Sequence, residues 1–169
     1  MINFKYNTMD FINGIISKYN DKKYWKMKFK LQNNEVCNLK KIIYLIRMKR
    51  MESFNGASLG TRLNGGSFFK SKPKLPHGLK GIFISDYAQI GKNVTIYQQV
   101  TIGYDGIDWT KAPVIGDNVV IYPGAKITGD IVIGDNSVIG TNCVVFEDVP
   151  NNSLVVLEKP RIILKDRLD

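Results

Sequence analysis

The sequence predicts a mainly β protein, a left-handed parallel β-helix with a small N-terminal helical arm. Three observations predict it. Isoleucine leads every sixth residue at Ile84, Ile90, Ile96 and Ile102, and after one interruption the count resumes at Ile115, Ile121, Ile127, Ile133, Ile139 and Val145. Four places on, outside the interruption, stands a small or β-branched residue: Ala88, Val94, Val100, Val119, Ala125, Ile131, Ser137, Cys143 and Val149. Between these fall corner-type residues, as in the I-G-D-N runs beginning at Ile115 and Ile133. A period of six is neither the 3.6 of a helix nor the alternation of an ordinary strand, and a fixed short period marks a solenoid. It fits a short strand plus a corner, with three such units closing a coil of about 18 residues and coils stacked ~4.8 Å apart. The leading Ile points into the prism and the residue four on must be small. Gly, Asn or Asp turns the corner at low cost in positive-φ geometry.

The organisation that follows is an arm at residues 1–52, the β-helix at 53–150 with an extruded loop at 103–113, and a C-terminal tail at 151–169. In the arm, residues 7–19 place Ile12, Ile15, Ile16 and Tyr19 on one helical stripe behind Asn7 or Thr8 as a cap. Residues 22–31 can be read two ways. Trp25, Met27, Phe29 and Leu31 alternate with lysines as in a strand, yet a lone strand is unstable and Lys and Met are good helix formers; a helix is predicted. From Asn38 the stripe Leu39, Ile42, Ile43, Ile46 is helical and ends near Met51. The arm's expected task is to pack on the first coil and cover an open sheet edge. Residues 53–74 are rich in Gly, Ser and Asn, with a hexad-like start at Leu59; a hexad led by Leu75, with Leu79 also inward, follows, and with three extra residues before Ile84 these form irregular opening coils. After Pro150 the repeat ends and a basic tail begins at Glu158-Lys159-Pro160-Arg161.

The chain of 169 residues carries 24 Lys+Arg against 15 Asp+Glu, a net charge of +9, which favours acidic partners such as a phosphorylated cofactor. Basic and aromatic residues in the arm are not joined by a nucleic-acid-binding motif, so nucleic acid is not expected as a partner. No apolar run reaches the ~20 residues that span a bilayer, and no signal-peptide pattern opens the chain. Cys143 occupies an inward slot and Cys37 lies far away in the arm, so no disulfide framework is expected and a cytoplasmic location is. A β-helical zinc enzyme would require three histidine ligands; the chain has one histidine, and no metal is expected.

That histidine is His77, and histidine is the side-chain type whose unperturbed pKa lies near neutrality. Stacking the hexads puts His77, Gln98, Pro123 and Thr141 in one corner column. The loop GYDGIDWTKAP leaves from the next edge of the prism, above His77, and an extruded Gly-rich loop on a rigid scaffold is a functional hint. Gly124 and Thr141 line a shallow groove suited to a long thin ligand.

The stretches LPHGLKGIFISDYAQIGKNVTIYQQVTIG and APVIGDNVVIYPGAKITGDIVIGDNSVIGTNCVVFEDVPNNS resemble the hexapeptide acyltransferases, in particular the serine acetyltransferase and polysaccharide O-acetyltransferase branch. The resemblance implies acetyl-CoA as donor, a homotrimer with active sites between adjacent prisms, and His77 as general base. It implies an oxyanion donor at the backbone N–H of Gly103 or Tyr104, and pantetheine along Gly124, Ala125 and Thr141, bonded to backbone amides. Lys159 and Arg161, with Lys165 and Arg167 behind them, would meet the CoA phosphates. Three positions depart from the serine acetyltransferase pattern: Pro76 replaces an Asp, Ala112 replaces a His, and Arg62 replaces the Asp that orients the histidine. A backbone carbonyl, Asn64 or Glu52 could orient His77 instead. On these departures the expected acceptor is a saccharide hydroxyl, in surface polysaccharide biosynthesis, contacted by Gln98, Tyr104, Asp105, Asp108 and Trp109. The alternatives are serine O-acetylation, N-acetylation of an amino sugar, and a non-catalytic β-helical scaffold, since fold does not dictate function.

Overall fold

The computed structural model describes residues 18–161, so the expected stripe at Ile12, Ile15 and Ile16 and the basic residues Lys165 and Arg167 lie outside the described residues. Two helices precede a left-handed parallel β-helix of short strands. The first face stacks β1 (Ser58–Leu59), β3 (Phe83–Ile84), β6 (Thr101–Gly103), β9 (Lys126–Thr128) and β12 (Val144–Val145). The second stacks β2 (Phe68–Phe69), β4 (Gln89–Ile90), β7 (Val114–Ile115) and β10 (Val132–Ile133). The third stacks β5 (Thr95–Ile96), β8 (Val120–Ile121), β11 (Val138–Ile139) and β13 (Leu154–Val155). All pairings are parallel, and each puts a hexad leader on a hexad leader: Ile84 on Ile102 and Ile127, Ile90 on Ile115 and Ile133, Ile96 on Ile121 and Ile139. Leaders and small residues are buried down the prism axis, and each fully buried Ile contributes about 1.5–3 kcal/mol. The repeat also continues past Pro150, where the sequence reading ends it. Leu154 and Val155 pair with Val138 and Ile139 without an isoleucine to mark the turn.

The corner between the second and third faces is built from asparagine. Asn93, Asn118, Asn136 and Asn152 hold φ between 54° and 60°, and each of the first three donates its side-chain amide to the Oδ1 of the next, at 3.3, 3.0 and 3.1 Å. Asn tolerates left-handed geometry that other L-residues adopt only at a cost of roughly 1–2 kcal/mol. Asn118→Ala is therefore expected to lower unfolding free energy by about that amount, and Asn118→Gly by less, as measured by chemical denaturation.

At the open end, α1 (Asp21–Gln32) and α2 (Asn38–Phe54) close the prism. Asn20 caps α1, its side chain accepting from the Lys23 N–H at 2.9 Å. The ambiguous alternation resolves as a helix because its buried set, Tyr24, Trp25, Met27, Lys28 and Leu31, fits one helical face better than a strand's alternate positions. The Gln32 side chain then behaves like one residue of an added strand. Its Nε2 donates to the Phe69 carbonyl and its Oε1 accepts from the Phe69 N–H, both at 3.0 Å, which satisfies an edge that would otherwise template aggregation. Trp25 packs edge-on against Phe69 at 4.9 Å. In α2 the stripe Leu39, Ile42, Ile43, Ile46 is helical as expected but faces outward; Met48 and Glu52 form its buried side.

Lys28 is fully buried. Its Nζ donates to the Gly65 carbonyl at 2.7 Å, Ser67 Oγ at 3.0 Å and the Leu59 carbonyl at 3.3 Å, holding together the first turn of the β-helix. Burial pushes its ammonium down to about 7, against the pull of Glu52. Between that value and the ~10.4 of an unfolded lysine, the unfolded chain binds more protons, so stability rises with pH. Burial holds the Tyr19 and Tyr24 hydroxyls high and reverses the sign above pH ~10. The thermal midpoint is therefore expected to climb from pH 7 to about 9.5, and Lys28→Met is expected to flatten that climb in a calorimetric pH series.

Among the described residues no helix is long and apolar enough to cross a membrane.

Candidate active site

His77 sits on the corner between the third and first faces. The Gly78 N–H donates to the Leu75 carbonyl at 3.0 Å, turning the chain and leaving His77 exposed. Lys74 pairs with Thr95 below β5, which puts Leu75 under Ile96 and the corner containing His77 under Gln98. The same register, through Ile96, Ile121 and Ile139, carries the column upward to Pro123 and Thr141. Two tyrosines that the sequence reading did not single out complete this edge. The Tyr97 ring lies 5.9 Å from the His77 ring, and Tyr122 stacks on Tyr97 at 5.3 Å and 12°. The available signal was position: each directly follows a hexad leader, and successive coils superpose such residues.

The column's backbone is less open than expected. Gly124 N–H donates to the Gln98 carbonyl at 3.1 Å, Ala125 N–H to the Tyr122 carbonyl at 3.3 Å, and Asn142 N–H to the Pro123 carbonyl at 3.0 Å. The amides of Gly124 and Ala125, expected to meet pantetheine, thus both bond within the prism, and Ala125 is fully buried. The solenoid satisfies its own backbone groups between coils, as buried amides must be satisfied. Thr141 remains exposed, as do Lys159 and Arg161 beyond β13.

The loop leaves from the next edge of the prism, as expected, and so lies on a different edge from His77 within one chain. It leaves β6 at Gly103, the end of the first face away from the His77 corner, and three strand residues separate the two corners by ~10 Å. Here the Arg62 guanidinium lies over Trp109 at 5.1 Å and Tyr87 at 5.9 Å, with its Nε donating to Asp86 Oδ2 at 2.5 Å. Tyr87 meets Trp109 edge-on at 5.0 Å. This cluster pins the loop to the prism wall. Asp105 and Asp108 shape the loop from within: Asp105 Oδ1 accepts from the Ile107 and Asp108 N–H groups, and Asp108 Oδ1 accepts from Thr110 Oγ1 and N–H. Those hydrogen bonds hold both carboxyls below the usual carboxylate range. Tyr104 and Trp109 are the loop's exposed aromatic side chains.

Of the groups considered as orienters of His77, Glu52 is committed elsewhere. It accepts from the Tyr24 hydroxyl at 2.6 Å and the Thr61 hydroxyl at 2.7 Å, and pairs with Lys49 at 3.1 Å. Cys143 points inward as expected.

Residues 112–147 match the family described as bacterial transferase hexapeptide (six repeats). The chain is 38% identical over 109 residues to a serine acetyltransferase of Helicobacter pylori, covering 64% of this chain and 60% of that protein. It is 42% identical over 108 residues to one of Staphylococcus aureus, covering 63% and 50%. The chain thus spans about half to three-fifths of the length of these curated relatives. Among solved structures it is similar to Entamoeba histolytica serine acetyltransferase isoform 3 in complex with cysteine, with 32% identity and TM-score 0.63 over 73% of this chain and 43% of that one. It is also similar to the Neisseria gonorrhoeae serine acetyltransferase in complex with serine, with 27% identity and TM-score 0.64 over 82% and 54%. These similarities overturn the expectation of a saccharide acceptor and of surface polysaccharide biosynthesis, because relatives and structural neighbours alike are named for serine. By its repeat, its coil register and these relatives, the chain carries the bacterial transferase hexapeptide repeat over residues 112–147 and is similar to the serine acetyltransferases.

Proposed function

We propose that this chain is an acetyl-CoA-dependent serine O-acetyltransferase with His77 as general base. The observation that carries the reading is its 38–42% identity to serine acetyltransferases over nearly two thirds of its length. Neutral His77 takes the proton of the serine hydroxyl as that oxygen attacks the thioester carbonyl. The tetrahedral oxyanion is met by a backbone N–H at Gly103 or Tyr104, a donor of the kind worth ~3–4 kcal/mol. The intermediate expels the CoA thiolate, which takes the proton back from the imidazolium, leaving O-acetylserine, free thiol and neutral His77. Thr141 lines the donor groove, and Lys159 and Arg161 meet the CoA phosphates. Arg62 at the loop edge is a cation able to meet the acceptor's carboxylate, among Gln98, Tyr104, Asp105, Asp108 and Trp109 as acceptor-side residues.

A homotrimer supports this chemistry. The His77 corner and the pinned loop occupy separate edges of one prism, so a neighbour is needed to bring a loop to each histidine. The outer side of the second face carries Phe68, Gln89, Val114 and Val132 in one register column, and its three exposed apolar residues offer an interaction surface. Two unpaired cysteines suit a reducing cytoplasm.

The test is thiol release from acetyl-CoA with L-serine, set beside simple sugars and amino sugars. Turnover with L-serine alone is expected. Acetyl-CoA binding without serine-dependent release would leave only the donor half of the reading standing, and no binding would refute the enzyme.

A further inference from the structure

A general base needs its second ring nitrogen held if the first is to present one tautomer to the substrate. Pro76 precedes His77, and the carboxylates Glu52 and Asp86 are engaged by Tyr24, Thr61 and Arg62. The coil above the histidine supplies two groups. Tyr97 makes the ring contact already described and is itself braced by the stacked Tyr122. Gln98, the next residue, carries a buried Oε1 that accepts no hydrogen bond. The other such oxygen among the described residues, Glu52 Oε2, has an ion pair with Lys49, so Gln98 Oε1 stands apart. Buried side-chain oxygens are normally paired, and an exception calls for a reason.

We propose that Tyr97 and Gln98 are the positioning residues of His77: the Tyr97 ring walls one side of the imidazole, and the Gln98 carboxamide oxygen, unpartnered in this structure, accepts the imidazole N–H once the exposed ring turns toward it. The inference rests on the reading of His77 as the base. It replaces the carboxylate that usually fixes a catalytic histidine with a neutral acceptor from the next coil, placed by the same register that stacks Leu75 under Ile96.

The chain contains one histidine, so isotope-labelled histidine reports on His77 alone, and two-bond nitrogen–proton spectra show its tautomer without any need for turnover. The wild-type chain is expected to show one dominant neutral tautomer. In Gln98→Ala both tautomers should appear and kcat should fall about 10- to 100-fold, with KM for acetyl-CoA unchanged. Gln98→Glu retains an acceptor oxygen and should keep the single tautomer. Tyr97→Phe should behave as wild type and Tyr97→Ala as Gln98→Ala. An unchanged tautomer and an unchanged kcat in Gln98→Ala, beside an inactive His77→Ala, would overturn the proposal while leaving the base in place. Full activity in His77→Ala would instead remove the reading beneath it.

Discussion

Replacement of His77 by alanine is expected to lower kcat for acetyl transfer about 10²–10⁴-fold, the range that a positioned general base supplies. The attacking hydroxyl is a poor nucleophile until its proton has somewhere to go, and His77 is the side chain on this corner suited to receive it near neutral pH. KM for acetyl-CoA should hold nearly constant, because the proposed donor contacts are Thr141 and the basic tail rather than the imidazole. A loss seen in kcat and kcat/KM together marks an interaction made in the transition state and not in substrate binding. Stability should not move, since His77 is exposed and its ring neighbour Tyr97 remains stacked on Tyr122. Steady-state kinetics with both substrates varied, beside a thermal melt of the same sample, checks all three statements. A variant that keeps more than a tenth of wild-type kcat would move the base elsewhere.

What the sequence made legible was whatever is written locally and repeated. Each hexad states its own strand, inward residue and corner, so Ile96, Ile121 and Ile139 could be stacked by counting alone, and the column from His77 to Thr141 followed. Features that depend on which groups meet across coils were not legible in the same way. The asparagines at 93, 118, 136 and 152 read as separate corner residues, while their hydrogen-bonded ladder exists only once the coils stack. Lys28 is one of several lysines alternating with apolar residues in its stretch, and its burial exists only once the first turn closes around it. The same count put the loop's exit on the edge next to the His77 corner, while the Arg62, Tyr87 and Trp109 cluster that pins it forms only in the folded chain. The acceptor was misjudged for a different reason. Pro76, Ala112 and Arg62 were weighed as three lost functional groups, whereas the whole match over 108–109 residues lies with proteins named for serine.

Gly66→Ala is expected to be the most damaging single substitution for stability, lowering unfolding free energy by about 4 kcal/mol or more and the thermal midpoint by roughly 10 °C. Gly66 holds φ at +67°, and a Cβ there would stand 1.8 Å from the Gly60 carbonyl oxygen, an overlap with backbone that no rotamer can relieve. The Gly60 carbonyl accepts the Ser67 N–H at 2.9 Å, so pushing it aside breaks a bond inside the first turn. The disturbance does not stop there. Gly65 and Ser67, on either side, supply two of the acceptors that hold the buried Lys28, and a buried ammonium that loses its acceptors is costly. The turn, the lysine and α1 therefore form one cooperative end-cap. Gly56→Ala separates the causes, for Gly56 has a similar φ of +58° with nothing within 4 Å of the added Cβ. It should cost only the conformational penalty of about 1–2 kcal/mol. Equal losses in the two variants, measured by denaturant titration, would show that backbone conformation rather than the clash governs this turn. A much larger loss in Gly66→Ala, accompanied by loss of the rise in stability from pH 7 to about 9.5, would tie the first coil's integrity to the buried lysine that α1 inserts into it.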